Sequence, residues 1–244
     1  MYSDDDAAAL YDIQNPWDTT RYASDAFYHA LVMSAGSVLD VGCGTGAMLH
    51  HARDAGHSGR LCGLDPDRAR LDRARRRTDI EWVLGTAASA RWDREFELAI
   101  MASNTFQVFV EDDDVRASLA AIRAALVPGG QVAFGSRHPQ ARAWENWTPD
   151  NATDVVDAAR RTIRVSHRVA AIVGDVVVTF TETVSQPDGT TLRVDHGRLR
   201  FLDVPTLSAF LIEAGLAIDE QYGDWARGPL TDTSKEIVTV ARRV

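Results

Sequence analysis

The chain of 244 residues has little cysteine, no long apolar run and no excess of positive charge. Its only two cysteines, Cys43 and Cys62, stand in apolar stretches that suit small buried side chains better than a disulfide or a nucleophile. No run approaches the roughly eighteen apolar residues of a membrane-spanning helix, and the N-terminus is acidic where a signal peptide is basic. We therefore expect a cytoplasmic protein that does not enter a membrane.

The charge balance excludes a further class of partner. The formal net charge is −9, whereas affinity for nucleic acid depends on lysine and arginine side chains that neutralise phosphates. Metal-ligand spacings are also lacking, because the adjacent His50 and His51 cannot face one ion from a helix and no zinc signature is present. We expect neither a nucleic-acid partner nor a bound metal.

Helix and strand patterns alternate through the first half of the chain, which is typical of parallel strands joined by helices. Apolar residues make up 45% of the chain, enough for the core of one α/β domain with an insertion. Strands are predicted in the run from Ser37 and at 61–64, 80–84, 96–101 and 131–135, and helices at 47–55, 66–77 and 111–126.

A different pattern follows His138. From about 160 to 202 the apolar residues alternate in twos around the turn Pro187-Asp188-Gly189, which predicts an antiparallel insertion. The α/β pattern then resumes with a helix at 204–214 and strands at 216–222 and 237–242.

Three glycines, Gly42, Gly44 and Gly46, follow the first predicted strand and precede a helix. Glycine adopts positive φ and lets a ligand approach main-chain N–H groups at a helix N-terminus. Asp65 ends the second strand, nineteen residues after Gly46, where nucleotide-binding folds place a carboxylate that accepts hydrogen bonds from ribose. The glycines alone could form an ordinary turn, but with Asp40 and Asp65 they favour a site for an adenosine-like ligand.

The glycine spacing is Gly-x-Gly-x-Gly with Asp40 two residues before it, which differs from the dinucleotide-binding fingerprint. The stretch from Val38 to Gly46 resembles motif I of class I S-adenosylmethionine-dependent methyltransferases, a hydrophobic pair followed by Asp/Glu-x-Gly-x-Gly-x-Gly. The resemblance implies an α/β fold with a Rossmann-like, seven-stranded, mostly parallel sheet, its last strand antiparallel, and helices on both faces. The antiparallel β insertion would form a lid.

The resemblance also implies how the chain is divided. An N-terminal helical segment, 1–36, would cover the cofactor site. The methyltransferase core would comprise 37–138 and 203–244, and the insertion, 139–202, would be the substrate lid.

S-adenosylmethionine is the cofactor that the resemblance implies. Asp40 would serve its ammonium group, directly or through water, and Asp65 its ribose hydroxyls. Thr86 stands where the family commonly has an aspartate that contacts the adenine amino group, so the N–H of Ala87 is a further candidate. The N-terminal aromatic residues would cover the methionine end, or each could simply pack a helix against the sheet. The expected cofactor-binding residues are Asp40, Gly42, Cys43, Gly44, Gly46, Asp65, Pro66, Thr86, Ala87, Met101, Tyr11, Trp17 and Tyr28.

Two further stretches would border the methyl acceptor. The loop after the fourth strand lacks the Asp/Asn-Pro-Pro-aromatic sequence of many amino-group methyltransferases, which argues against adenine-N6 and glutamine-amide acceptors. The stretch 137–147 holds two tryptophans and two arginines, which favours an aromatic or carboxylate-bearing acceptor unless the rings merely seal the lid. The expected acceptor-binding residues are Ser103, Asn104, Phe106, Gln107, Arg137, Trp144 and Trp147, with His138 as the candidate base.

These residues predict an S-adenosylmethionine-dependent methyltransferase that acts on a small molecule at oxygen, nitrogen or carbon, as a monomer or homodimer. In-line transfer mainly needs the acceptor held in place, and positioning alone can supply about 7–11 kcal/mol, so a base is needed only for a protonated acceptor. Two alternatives remain open. One is a nicotinamide-dependent oxidoreductase with the same glycine turn, and the other is a protein that binds S-adenosylmethionine without methylating anything.

Overall fold

The computed structural model describes residues 2–174 and 176–244. Met1 and Asp175, which fall in the segments predicted at 1–36 and 139–202, lie outside the described residues. The helices are α1 (Asp4–Gln14), α2 (Ala23–Ser34), α3 (Ala47–Asp54), α4 (Arg68–Ala74), α5 (Asp112–Ala125) and α6 (Val204–Glu213). The strands are β1 (Ser37–Val41), β2 (Arg60–Asp65), β3 (Glu81–Leu84), β4 (Phe96–Met101), β5 (Leu126–Arg137), β6 (Thr153–Val156), β7 (Thr162–Val173), β8 (Val177–Ser185), β9 (Thr191–Arg200), β10 (Leu216–Tyr222) and β11 (Glu236–Arg243).

The larger sheet contains seven strands within the described ranges, in the order β10-β11-β5-β4-β1-β2-β3. The five strands from β3 to β5 are parallel, and β11 runs antiparallel to both β5 and β10. Neighbouring residues of β1 face opposite cores: Val38 packs in the cluster that contains α2 and α3, and Leu39 in the cluster that contains α5 and α6. Helices therefore cover both faces, and the predicted fold is confirmed.

The smaller sheet is antiparallel, in the order β6-β7-β8-β9, and comes entirely from the insertion. The turn at Pro187-Asp188-Gly189 joins β8 to β9, as the sequence predicts, and is closed by a hydrogen bond from the Gln186 N–H to the Thr190 carbonyl of 2.8 Å. One face of this sheet packs on the N-terminal helix through a buried cluster of Tyr2, Leu10, Ile163, Val165 and Val184. The insertion and α1 thus form one packed unit beside the larger sheet.

Three elements differ from the sequence prediction. Helix α4 begins at Arg68 instead of Pro66, because the Asp67 side chain caps it by accepting a hydrogen bond from the Arg70 N–H. The residues between the helix predicted at 111–126 and the strand predicted at 131–135 lie within β5, where pairing with β4 shifts register and resumes at Gln131. The short edge strand β6 was not predicted, since its side chains are exposed except for a partly buried Val155.

Among the described residues, no helix has both the length and the apolar character needed to span a membrane.

Candidate functional site

The turn after β1 borders a cavity of about 770 Å³, here called the glycine cavity. Gly44 has φ of +56°, and a Cβ built there would find no described atom within 4 Å, so its backbone is open to the cavity. Gly46, with φ of +79°, is closed in: a Cβ there would lie 2.4 Å from Cη2 of Trp82. Gly44 therefore presents main chain to a ligand, whereas Gly46 allows the turn to pack on β3.

Asp65 holds this turn in place. Its Oδ2 accepts a hydrogen bond from the Gly44 N–H and its Oδ1 one from the Asp67 N–H, both of 2.8 Å. Burial raises the pKa of Asp65, and the two N–H donors oppose that rise. Each carboxylate oxygen keeps a second acceptor position. Asp65 can thus accept from a ribose while it fixes the glycine turn, a second role that the sequence analysis did not anticipate.

Asp40 is buried at the end of β1, with 2% of its surface exposed, and it lines the glycine cavity. Its Oδ1 has no hydrogen-bond partner among the described residues. Burial, and secondarily the nearby Asp65, raises the pKa of Asp40 to about 8. A buried carboxylate without a partner is costly, and a ligand that brings an ammonium group would supply the missing donor and charge.

Helix α1 is tied to the glycine turn. The Thr45 hydroxyl donates to Asp12 Oδ1 at 2.5 Å, and the Arg73 guanidinium donates to Asp12 Oδ2 at 3.0 Å and 3.1 Å. The Arg70 guanidinium lies 4.5 Å from the centre of the Tyr11 ring. These contacts bring the N-terminal segment over the glycine cavity.

A second cavity of about 1010 Å³, here called the sheet cavity, lies between α1, the turn after β4 and the smaller sheet. The two cavities meet at the residues that line both of them: Tyr11, Asn15, Asp67, Arg70, Ser103, Asn104, Arg137, Phe180 and Leu199. Ser103 and Asn104 have φ of +51° and +59°, and the buried Asn104 Oδ1 has no partner among the described residues. Two successive non-glycine residues in the left-handed region store strain of about 1–3 kcal/mol each, which is typical of functional sites.

The smaller sheet contributes a polar row to the sheet cavity. His167 of β7, Glu182 of β8 and Asp195 of β9 are cross-strand neighbours, and His167 Nε2 lies 3.0 Å from Glu182 Oε2. Arg193 Nε donates to Asp195 Oδ2 at 2.5 Å. The residues of this polar row were not predicted from the sequence. The period-two alternation of Phe180, Glu182 and Val184 nevertheless indicates that these three side chains share a face.

Arg137 ends β5 at the junction of the two cavities. Its main-chain N–H and its Nη1 donate to Oε1 of Gln107 at 3.3 Å and 3.2 Å, and Gln107 Nε2 donates to the Arg200 carbonyl at 3.1 Å. The guanidinium lies 5.7 Å from the centre of the Trp147 ring. Burial lowers the pKa of Arg137, which Glu236 partly opposes.

Most of the predicted cofactor residues are brought together. Those that line the glycine cavity are Tyr11, Trp17, Asp40, Gly42, Cys43, Gly44, Asp65, Pro66, Thr86 and Ala87. Gly46, Met101 and Tyr28 do not line it as the described residues form it. Instead, the buried Tyr28 donates its hydroxyl to the Met101 carbonyl at 3.3 Å and packs on Trp225.

The predicted acceptor residues are divided. Ser103, Asn104 and Arg137 line both cavities and Trp147 lines the sheet cavity. Phe106 stacks on Phe134 in the core, Trp144 packs on Phe201, and Gln107 acts through Arg137. His138 lines neither cavity as described: it is 5% exposed, and its Nδ1 accepts a hydrogen bond from the Gln140 N–H at 3.2 Å. Its role as a base stays a prediction without support from the geometry.

Comparison with known proteins agrees with this geometry. Residues 38–130, which contain the glycine turn, Asp65 and the strained turn after β4, match the family described as methyltransferase domain. The chain therefore contains a class I S-adenosylmethionine-dependent methyltransferase domain. It is therefore an enzyme whose methyl donor is S-adenosylmethionine, and the nicotinamide-dependent alternative is set aside.

Similar proteins cover nearly the whole methyltransferase chain. The cypemycin N-terminal methyltransferase of a Streptomyces species is 25% identical over 221 residues, 85% of this chain and 83% of that protein. The structure of the CcbJ methyltransferase from Streptomyces caelestis has a TM-score of 0.76 at 20% identity and covers 100% of both chains. S-adenosylmethionine-bound CalS10, an amino pentose methyltransferase from Micromonospora echinaspora, has a TM-score of 0.68 at 22% identity and covers 98% of this chain and 96% of its own. The two structures show that the fold is shared.

The glycine cavity fits the methyl donor on two observations. The unpartnered Oδ1 of Asp40 suits an ammonium group, and the open backbone at Gly44 leaves room for a ligand against the main chain. When bound, S-adenosylmethionine supplies a methyl group that its sulfonium already activates.

Proposed function

We propose that this methyltransferase methylates a small molecule held in the sheet cavity, at oxygen, nitrogen or carbon. The observation that carries the proposal is the meeting of the two cavities at residues that include Ser103, Asn104, Arg137 and Phe180. A molecule in the sheet cavity can extend through this junction toward the methyl donor. Nitrogen is favoured among the acceptor atoms because one similar protein is named as an N-terminal methyltransferase.

The residues of the glycine cavity have distinct roles in this proposal. Asp40 accepts the ammonium group, Asp65 accepts the ribose hydroxyls, and the Gly44 backbone contacts the ligand directly. Thr86 and Ala87 border the cavity where the adenine is expected, and Tyr11 and Trp17 cover the opposite end. The matched residues 38–130 include the first five of these seven residues but not Tyr11 and Trp17 of the N-terminal cover.

The protein's contribution to catalysis is mainly geometric. Helix α1 and the smaller sheet keep water from the junction, while Asn104 and Arg137 hold the acceptor in line with the methyl donor. An amine that binds as an ammonium must lose a proton before its nitrogen can attack. We assign that proton to His167, which lines the sheet cavity and pairs with Glu182, instead of to His138.

The remaining assignments extend the same proposal. The insertion, 139–202, acts as the lid over the acceptor and the segment 1–36 as the cover of the cofactor, in line with their contacts through α1. The two buried free cysteines suit a reducing cytoplasm, and the net charge of −9 disfavours nucleic acid as a substrate. The protein works as a monomer or homodimer.

Two measurements test this function in sequence. Calorimetric titration should show binding of S-adenosylhomocysteine and no response to NAD(H). Incubation with methyl-labelled S-adenosylmethionine and a panel of small aromatic, amine and amino-acid metabolites should then label at least one of them. Binding without any labelled product would favour the alternative in which S-adenosylmethionine is bound but not used.

A further inference from the structure

We propose that Arg137 binds a carboxylate of the acceptor, so that the substrates of this enzyme are small carboxylic acids. The inference rests on the proposed function, because it needs an acceptor in the sheet cavity. It goes further by naming the substrate class and the residue that selects it.

The first support is the charge balance around Arg137. Its guanidinium is partly buried, and no carboxylate lies within ion-pair distance of it in the described part of the chain. Its side-chain partner there is the neutral amide oxygen of Gln107, at 3.2 Å from Nη1. A cation withdrawn from water without a counter-charge is destabilising, and a ligand carboxylate would compensate it.

Glu236 is the acidic residue that lies beside Arg137 in the larger sheet and could neutralise its charge. The two residues are direct partners in the β5–β11 ladder, so their side chains start on the same face. Yet one carboxylate oxygen of Glu236, Oε2, is buried without a partner among the described residues. Burial raises the pKa of Glu236, and the nearby Arg137 opposes that rise. Because the two side chains form no ion pair among the described residues, the guanidinium keeps N–H donors available to a ligand.

The second support is the way Arg137 is held. Gln107 has no exposed surface and is anchored by its Nε2 to the Arg200 carbonyl, and Arg200 in turn pairs with Asp112 at 2.7 Å. Gln107 Oε1 uses one nitrogen of the guanidinium, which leaves the other side-chain N–H donors for the cavity. Gln107 is thus a positioning residue: it fixes the orientation of the guanidinium without neutralising its charge.

The third support is the surroundings of the guanidinium. It lies 5.7 Å from the centre of the Trp147 ring, and that ring lies 5.0 Å from the Phe180 ring. Trp147 lines the sheet cavity but not the glycine cavity. A planar carboxylate can accept two parallel hydrogen bonds from an arginine, and the flanking rings suit the organic body of an acid. The position favours the acceptor over the carboxylate of the methyl donor.

A pair of probes that differ only in the charged group tests the inference. Benzoate and benzamide are titrated by calorimetry into the full-length enzyme saturated with S-adenosylhomocysteine. We expect benzoate to bind about tenfold more tightly than benzamide. Arg137→Gln should abolish the difference, and Arg137→Lys should retain part of it because it keeps the charge but not the planar fork. Arg21→Gln, which removes an exposed arginine of the same cavity, should leave the difference unchanged.

Gln107→Glu provides an independent test that keeps Arg137 in place. The nearly isosteric carboxylate would form an internal ion pair with the guanidinium but could not donate to the Arg200 carbonyl, so the variant should remain folded with a somewhat lower unfolding temperature than the parent. It should nevertheless lose the preference for benzoate. A Gln107→Glu variant that still prefers benzoate would overturn the proposal.

The remaining outcomes distinguish a failure of the carboxylate inference from a failure of the proposed function. If S-adenosylhomocysteine does not bind the parent enzyme, the proposed function fails first. If it binds but benzoate and benzamide bind alike, or neither binds, only the carboxylate inference fails. If Arg137→Gln weakens S-adenosylhomocysteine binding more than benzoate binding, Arg137 serves the carboxylate of the methyl donor, and the inference is wrong.

Discussion

The glycine cavity and the sheet cavity are built in different ways. The glycine cavity is formed mainly by the turns that follow β1, β2, β3 and β4, and its polar groups include main chain and the buried carboxylates of Asp40 and Asp65. The sheet cavity is formed mainly by side chains of α1 and of the four antiparallel strands β6 to β9. This difference indicates that the methyl donor, a constant ligand, is bound by backbone geometry. The acceptor, a variable ligand, is bound by side chains that can change without disturbing the larger sheet.

Removing the charge of Asp40 should have the largest effect on binding in the glycine cavity. Asp40→Asn keeps the shape of the side chain but not the full charge that we assign to the ammonium group. We expect the affinity for S-adenosylhomocysteine to fall about a hundredfold, or about 2.7 kcal/mol, since hydrogen bonds to charged groups contribute most when they are buried. Calorimetry measures the loss.

Benzoate binding to the same variant is the control. The sheet cavity does not include Asp40, so the dissociation constant of benzoate should stay the same at saturating S-adenosylhomocysteine. An Asp40→Asn variant with the parent's affinity for S-adenosylhomocysteine would show that the ammonium group is held by another residue.

Much of the larger sheet and of the glycine cavity could be predicted from the sequence. Gly44, Asp40 and Asp65 stand next to strand ends in a fixed spacing, and parallel strands bring those ends to one edge of the sheet. A glycine at position 44 predicts the positive φ that the structure shows. The local sequence is therefore sufficient to predict this part of the glycine cavity.

The sheet cavity depends on contacts between residues far apart in the chain. Gln107 reaches Arg200 across 93 positions, and His167 meets Glu182 only because β7 and β8 pair in one register. A shift of one residue would turn those side chains to the other face. For the same reason Tyr28 and His138, both plausible by their sequence position, lie outside the cavities as described.

Replacing a single hydrogen tests the role of backbone in the glycine cavity. Gly44→Ala places a methyl group where the ligand is expected, at a φ of +56°. We expect the affinity for S-adenosylhomocysteine to fall about thirtyfold, or about 2 kcal/mol, with a stability loss of about 1 kcal/mol from the backbone strain.

Gly56→Ala is the matched control for that change. Gly56 also has a positive φ, +95°, with no described atom within 4 Å of a built Cβ, but it lies after α3 and away from the cavity. It should lose similar stability and no affinity. Equal affinity in both variants would mean that the ligand does not approach the Gly44 backbone.

The pH dependence of donor binding should separate the two cavities further. Because the pKa of Asp40 is raised to about 8, binding to its ionised form should weaken about tenfold for each unit that the pH falls from 8 toward 6. Before ligand binds, the folded state holds this proton more tightly than the unfolded chain does. The Asp40 contribution to stability therefore declines as pH rises from the ordinary carboxyl range toward 8, and is constant above it.

Calorimetry and thermal unfolding across this pH range check both slopes. Asp40→Asn should flatten them, because the amide does not titrate. A parent enzyme whose affinity for S-adenosylhomocysteine is constant from pH 6 to 8 would show that Asp40 is already ionised without ligand, through a donor that the geometry does not reveal.

The smallest expected effect concerns the junction between the two cavities. Gly197 lies opposite Phe180 in the β8–β9 ladder, and a Cβ there would lie 2.4 Å from Cζ of the Phe180 ring. Gly197→Ala should displace that ring, which lines both cavities, and weaken benzoate binding about threefold, or about 0.7 kcal/mol.

Gly189→Ala, in the turn of the same hairpin, is the control without a close neighbour. Calorimetry should show nearly unchanged S-adenosylhomocysteine affinity in both variants, because Asp40, Asp65 and the Gly44 backbone, to which we assign the donor contacts, belong to the larger sheet and its turns. If Gly197→Ala instead weakens both ligands equally, the cavities act as one site and their separation into a constant and a variable part does not hold.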